Sequence, residues 1–594
     1  MTNYLQFAKM RSVFNKMRWI TIRFFIIATI LLAVYLFLFY LLMETWYNLK
    51  TSPVMQKSIV LPHVVVHFDL KGSPPKLKYM ESLLPMLKDK GVNGLLMEYE
   101  DMFPYRDKLV NISAKNCYDR AELQKFLHQA VRTGYDVIPL IQTFGHLEHV
   151  LKLEEFRHLR EDDMHPDSIC PSNPKSKVLV KDMIEQVELS FELLQLTLFF
   201  QIIHFHSSIQ PLKYIHIGCD EVFHINKCDK CHLRNMSNVN LYINYVKEIA
   251  EVVKSLSPAT TVLIWDDMLR TIKPLQWKSI DLFHHIEPVY WDYSPSLGVS
   301  HVNLLKYHKS FQDIWIASAY KGADGRTTTI PNSTNRYLNH FSWMSLILDY
   351  TFGGEKTVYG FKGIILTGWS RYSHMDPLCE LLPASLPSLI LNLILINKFK
   401  SGVIADKDVI SNPDNFFHKY LEADINRSLE CDKMIDLGTF DNVDIACMFE
   451  SSHLYNTLKR YISVNADINA GFHNIETGLS SIEYYSTMNT INMNTVLSNL
   501  AWCKDILQDL TDLKMKLMNL MSRYYDIDTT HEYVNYKMFN SKMKLMNTVK
   551  LLNNYMKTRT WERKPIESLI LIIHDISRGD LVNTYKNDVL TYYK

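Results

Sequence analysis

YIHIGCDE, Tyr214 to Glu221, is an apolar, partly β-branched run that ends in two adjacent carboxylates. A continuous apolar run of this length suits a strand buried on both faces, as parallel strands are. Seven other runs share its form: HVVVHFD (63–69), VNGLLMEYE (92–100), YDVIPLIQT (135–143), TTVLIWDD (260–267), DLFHHIEPVYWDY (281–293), DIWIASAYKG (313–322) and FKGIILTGWSRY (361–372). Between them lie stretches that read as helices. The clearest, DRAELQKFLHQAVRTG, has Asp119 placed to cap it, Glu122 in the capping-box position and Gly134 to end it. Strand–helix units repeated from Leu61 to about Trp369 predict an α/β fold, a (β/α)8 TIM barrel.

Reactive residues cluster at or just past the C-terminal ends of these runs: Asp69, Glu98, His146, Asp220, Glu221, Trp265, Asp266, Trp291, Asp292, Tyr293 and Trp369. Barrel active sites are assembled at that end, and core packing gives polar residues no reason to prefer it. Neighbouring side chains on a regular strand face opposite ways, so Asp220 and Glu221 can share a pocket only where the chain bends out of the sheet. Their repulsion and partial desolvation should raise one of the two pKa values, giving a proton donor near neutral pH. An isolated Asp-Glu pair would be read as an exposed acidic turn; the apolar run, Gly218 and the other decorated strand ends oppose that here.

The remaining sequence sets the context. The chain of 594 residues is 47% hydrophobic and 21% charged, with a net charge of +1. A nucleic-acid binder would show a basic excess, which is missing here. Phe24 to Met43 carries no charge and as a helix would span about 30 Å. Lys9, Arg11, Lys16, Arg18 and Arg23 precede it, and only Lys50 and Lys57 follow closely. This asymmetry predicts an uncleaved signal-anchor with 1–23 cytosolic, 24–43 in the membrane, 44–59 a lumenal stem, 60–400 the catalytic barrel and 401–594 a helical domain. A cleaved signal peptide is the competing reading, which the length of the apolar stretch disfavours. The expected compartment is the Golgi lumen, in keeping with the short stem. Sequons at Asn111, Asn235, Asn332 and Asn426 are candidate glycan acceptors. The nine cysteines cannot all pair internally, and CDKCH (228–232) reads as a local disulfide or two free thiols in preference to half a metal or haem site. Beyond Lys400, apolar residues at helical spacing, as in 497–525, read as core stripes of a helical domain.

HIGCDEV fits the His-x-Gly-x-Asp-Glu signature and resembles glycoside hydrolase family 20, the β-N-acetylhexosaminidases. Further stretches support the resemblance, including HFDLKGSPPKLKYMESLLPMLKDKGVNGLLMEYEDMFPY, VIPLIQTFGHLEHVLK, LIWDDMLR, EPVYWDY and GIILTGWSRYSHMDPLCELLPASLPSL. They cover roughly 60–400 and point to a divergent single-barrel branch. The resemblance implies that Glu221 is the general acid and base, that Asp220 orients the 2-acetamido group of the sugar, and that this group is itself the nucleophile. It also implies that Trp265, Trp291 and Trp369 wall an acetamido pocket, that Tyr293 hydrogen-bonds the acetamido oxygen, and that His146 lies near the acids. Where the family's classical members carry an arginine after the first strand, this chain has Asp69 and Lys71, which leaves the gluco or galacto preference open. Asp69, Asp292 and either Glu98 or Glu100 are candidates for sugar hydroxyls. The expected substrates are terminal N-acetylhexosamine glycans, with no metal, no cofactor and no nucleic acid, and a second copy of the chain remains open as a partner. A catalytically silent carbohydrate-binding barrel and a transglycosylase with the same site are the alternatives.

Overall fold

The computed structural model describes residues 17–20, 22–23, 26–43, 58–185, 206, 209–352, 360–402, 412–435, 437–438, 447–487 and 492–560. All eight expected runs contain a strand: β1 (His63–Asp69), β2 (Gly94–Glu98), β3 (Asp136–Leu140), β4 (Tyr214–His216), β5 (Thr261–Trp265), β6 (Glu287–Trp291), β7 (Trp315–Lys321) and β8 (Gly363–Gly368). They are parallel and close into a barrel in the order β1-β8-β7-β6-β5-β4-β3-β2. The strands are shorter than the runs that announced them. Of 281–293 only Glu287–Trp291 joins the sheet, and β4 keeps just three residues.

Alternation decides what fills the barrel. Val65, Leu96, Ile138, Leu263, Val289 and Ile365 form its interior with Trp265 and Trp315. The rings of His63, Tyr214 and Trp315 stand 5.1–5.5 Å apart by centroid and plug the N-terminal mouth. Gly363 makes this plug fit, since a Cβ there would lie 2.6 Å from the Trp315 ring. With that end filled by side chains, a cavity can open only at the C-terminal ends.

The expected helix after β2 spans Arg120–Arg132, and Asp119 accepts from the N–H groups of Ala121 and Glu122 at 2.9 and 3.0 Å. Between β3 and β4 the chain inserts an antiparallel hairpin, Arg160–Asp162 with His165–Ile169.

Among the described residues the C-terminal part is helical, with long helices at Ser452–Thr487, Met493–Met521 and Ile527–Tyr555. They share a core that includes Val464, Phe472, Leu500, Leu510 and Leu552. Their methionines and aromatics do not all serve as core: Met521 and Met538 are buried, while Met515 and Phe539 are exposed. These helices are not a separate body. Residues 59–401 and the described C-terminal helices form one compact unit. Arg371, just past β8, pairs through both guanidinium NH2 groups with Glu532 at 2.6 and 2.9 Å, and the Tyr525 hydroxyl accepts from Leu382 N–H. A bidentate pair whose guanidinium is buried holds orientation better than a fully exposed ion pair does.

A second unit contains Ile26–Met43, a helix long and apolar enough to cross a membrane. Phe24, Phe25 and most of the expected stem lie outside the described residues.

Candidate active site

The chain leaves the sheet two residues after β4 is complete. Gly218, Cys219 and Glu221 take φ values of +67°, +70° and +47°, the left-handed region that non-glycine residues seldom enter. At Gly218 only glycine serves, because a Cβ would sit 1.9 Å from Gln142 Oε1. Partners hold the strained turn from several sides. Trp265 N–H donates to Gly218 O, the Tyr242 hydroxyl donates to Cys219 O at 2.9 Å, and Glu221 N–H donates to Asp267 Oδ2 at 2.9 Å. This bend brings both acids onto one cavity of about 720 Å³, as the break in strand alternation was expected to do.

His146, at φ +52°, stands between the acids. Its Nε2 lies 3.3 Å from Glu221 Oε2 and 3.5 Å from Asp220 Oδ2. Burial disfavours its imidazolium, but the Asp220 charge and the Glu221 hydrogen bond outweigh that and lift its pKa to about 10. The acids respond oppositely. Burial raises Asp220, partly offset by His146, whereas the hydrogen bond from His146 lowers Glu221. The raised carboxyl is therefore Asp220, and the expectation of a raised proton donor is not met at Glu221 in the free cavity. The reason is exposure: the Glu221 side chain is 40% exposed and takes the imidazolium hydrogen bond, while Asp220 is 11% exposed. Asp220 Oδ1 is buried and has no hydrogen-bond partner on the protein.

Aromatic rings form the walls. Trp265, Trp291, Tyr293 and Trp369 all line the cavity. Trp265 and Trp369 are 5.8 Å apart by centroid, and Trp291 stacks on Tyr293 at 5.2 Å. The Trp291 ring and the Trp369 backbone are held from behind. Asp267 Oδ1 accepts the Trp291 indole N–H at 3.3 Å, the Arg270 guanidinium lies 4.9 Å over the Trp291 ring, and the Lys321 ammonium donates to Trp369 O at 2.7 Å. Asp292 also lines the cavity, but its two oxygens accept the N–H groups of Ser294 and Gly298, so it shapes the loop that carries Tyr293.

Two expected sugar ligands are corrected. Glu98 is fully buried, facing into the barrel beneath the cavity, where it meets His67 Nε2 and Lys71 Nζ at 3.0 Å each. Burial raises its carboxyl, but Lys71 and His67 outweigh that and hold it well below the usual range. Asp69 is buried too. It accepts Ser370 N–H at 2.7 Å and Lys71 N–H at 3.2 Å, which fastens the turn after Trp369. Glu100, the other candidate, is buried against His374 and Lys71. These acids are buried against Lys71, His67, Ser370 and His374 and none of them lines the cavity, whereas Lys71, which meets all three, does.

Other residues in or beside the cavity carried weaker signals. Asp267 is the second acid of WDD; burial, and then the Asp220 charge, raise its pKa to about 7. Arg336 and Asp324 come from the segment after β7 and pair at 3.1 Å. Arg336 is 2% exposed, and its Nε and one NH2 group find no acceptor on the protein. Nothing in the local sequence marks them, because the fold of that segment alone brings them to the mouth.

Of the sequons, Asn111, Asn235 and Asn332 are exposed. Asn426 is not an acceptor in the folded chain: it is buried, and its Nδ2 donates to Glu422 O at 2.6 Å.

The family model for the glycosyl hydrolase family 20 catalytic domain matches residues 82–288, which contain both acids, His146 and Trp265. Hexosaminidase D of Homo sapiens is 39% identical over 350 residues, 57% of this chain and 67% of the human protein. Hexosaminidase D of Bos taurus is 38% identical over 351 residues, 57% of this chain and 94% of the bovine protein. The X-ray structure of Flavobacterium johnsoniae chitobiase aligns with 86% of this chain and 74% of its own, at 12% identity and a TM-score of 0.40. The chain belongs to glycoside hydrolase family 20. Its activity is that of a glycoside hydrolase, a β-N-acetylhexosaminidase.

Proposed function

We propose that the chain removes terminal, non-reducing β-linked N-acetylhexosamines with retention of configuration, the 2-acetamido group of the substrate acting as nucleophile. The observation that carries this reading is that Asp220 and Glu221 meet the same histidine in one aromatic-walled cavity. Retaining enzymes that use their own nucleophile place two carboxyl groups about 5 Å apart on either side of the bond. Two consecutive acids on one turn serve better a substrate that brings its nucleophile with it. The unpartnered Asp220 Oδ1 is an acceptor for the acetamido N–H, and Tyr293 supplies a hydroxyl for its oxygen. Trp265, Trp291 and Trp369 enclose the methyl group and the sugar face. Lys71 and the free donors of Arg336 replace the corrected acids as ligands for ring hydroxyls. Hydrolysis of nitrophenyl β-GlcNAc and β-GalNAc, with and without an added alcohol acceptor, tests the activity. It also reports the sugar preference and separates hydrolysis from glycosyl transfer.

Glu221 protonates the glycosidic oxygen and then deprotonates water. Because His146 lowers Glu221, the free cavity keeps the shared proton on the imidazolium, and substrate that covers Glu221 returns it to the carboxyl. The alkaline limb of kcat/KM reports free-enzyme groups and should follow the His146 proton, near pH 10. In His146→Gln the Glu221 pKa rises, since its cationic partner is gone, but the carboxyl must then hold the proton alone. The alkaline limb is expected to move to lower pH by about two units or more, toward the carboxylate range. A pH profile of kcat/KM with its alkaline limb unmoved would remove His146 from this role.

The charge asymmetry around Ile26–Met43 supports a type II signal-anchor with the barrel in an endomembrane lumen, the Golgi by preference. In microsomes the C-terminal bulk should resist protease and gain endoglycosidase-sensitive mass at Asn111, Asn235 or Asn332. Complete digestion of an unglycosylated chain would reverse this topology.

A further inference from the structure

The cysteines of CDKCH lie in the loop that follows the acids, where the sequence holds no second pair at metal-binding spacing. The fold supplies the missing groups from the other side. Cys170, next after the hairpin strand His165–Ile169, places Sγ 3.1 Å from Cys228 Sγ and 3.8 Å from Cys231 Sγ. Glu161, in the partner strand, places Oε2 3.3 Å from Cys231 Sγ. All four ligand atoms fall within 4.8 Å of one another. In a tetrahedral site with Zn–S of about 2.3 Å, neighbouring sulfurs stand about 3.8 Å apart, the Cys170–Cys231 spacing here, and Cys228 would move out by some tenths of an ångström to meet the ion.

The surroundings fit ligands more than idle thiols. Glu161 Oε1 accepts the N–H groups of Lys227 and Cys228 at 2.5 and 3.1 Å, which aims Oε2 at the thiols. Cys228 Sγ accepts Cys231 N–H at 3.4 Å, and Ser172 Oγ lies 3.0 Å from Cys231 Sγ. Such outer contacts orient metal ligands. Glu161 is 2% exposed, and a cation at this spot would give its buried carboxyl group a partner beside the thiols.

We propose that Glu161, Cys170, Cys228 and Cys231 bind one structural Zn²⁺. Three thiolates select a soft or borderline ion over Mg²⁺ or Ca²⁺, and four protein ligands leave no open position for catalysis. The ion staples the hairpin after β3 to the loop after β4. The same two segments are joined by His224 and Asp167 at 2.7 Å, and the hairpin backbone reaches the His146 loop through Leu147 N–H to Asp167 O. The site thus braces, from outside the cavity, the two loops that bring His146 to the acids.

The test is metal content of the full chain purified without added metal or chelator. About one zinc per chain is expected by elemental analysis. It should be lost in Cys170→Ser and Cys228→Ser and kept in Cys117→Ser, Cys503→Ser and His224→Ala; the last variant separates this site from the neighbouring group of Asp162, His165 and His224. Because the serine variants of ligands could fail to fold, the wild-type chain is also loaded with Co²⁺. A thiolate-to-cobalt charge-transfer band with the intense visible bands of a tetrahedral ion is expected. Zinc below about a tenth per chain, with peptide mapping that shows a Cys170–Cys228 disulfide, would overturn the proposal. So would zinc retained when Cys170 and Cys228 are both replaced. Neither readout depends on hexosaminidase activity.

Discussion

Glu221→Gln is expected to lose about 10²- to 10⁴-fold in turnover on substrates with poor leaving groups, the usual worth of a positioned general acid. Glutamine keeps the shape of the side chain and can still meet His146 at 3.3 Å, so the loss should be chemical and the fold should survive. Nitrophenyl leaving groups need little protonation and should suffer much less in the glycosylation step. Comparing alkyl and nitrophenyl N-acetylglucosaminides in wild type and variant separates the two, since only a lost proton donor makes the defect depend on the leaving group. Small, equal losses on both would assign the acid elsewhere.

Substrate assistance predicts a second large effect. A β-glucoside or β-galactoside with a 2-hydroxyl should scarcely react even where it binds, because it lacks the nucleophile. A thiazoline mimic of the oxazolinium intermediate should bind far more tightly than the free sugar. Asp220→Asn should weaken that mimic and slow turnover together, each by about 10- to 100-fold, the value of a hydrogen bond to a charged group at about 1.5–3 kcal/mol. Both effects have one cause, the loss of the carboxylate whose Oδ1 has no other partner. The decisive experiment is trapping with a 2-fluoro glycoside. A covalent adduct on any carboxylate of the chain would identify an enzymic nucleophile and end the substrate-assisted reading.

The barrel was legible because each strand is buried on both faces and so must be a continuous apolar run; eight such runs leave little choice of fold. The acids, His146, Tyr293 and the three tryptophans were legible because strand ends on one side of a barrel converge whatever the loops do. Depth within the barrel was the part misjudged. Glu98 looked like a rim residue in the run 92–100, yet it lies buried beneath the cavity against His67 and Lys71, and Asp69 is spent holding Ser370.

The sequence by itself determined the barrel, the bend that joins Asp220 to Glu221 and the apolar segment Phe24–Met43, because each depends on residues close together in the chain. Only the tertiary structure decided which acid is raised, that Arg336 and Asp324 reach the cavity, and that Cys170 and Glu161 meet Cys228 and Cys231. Each of these depends on groups from separate elements coming within about 4 Å, where charge, burial and ligation act, and spacing along the chain does not encode those distances.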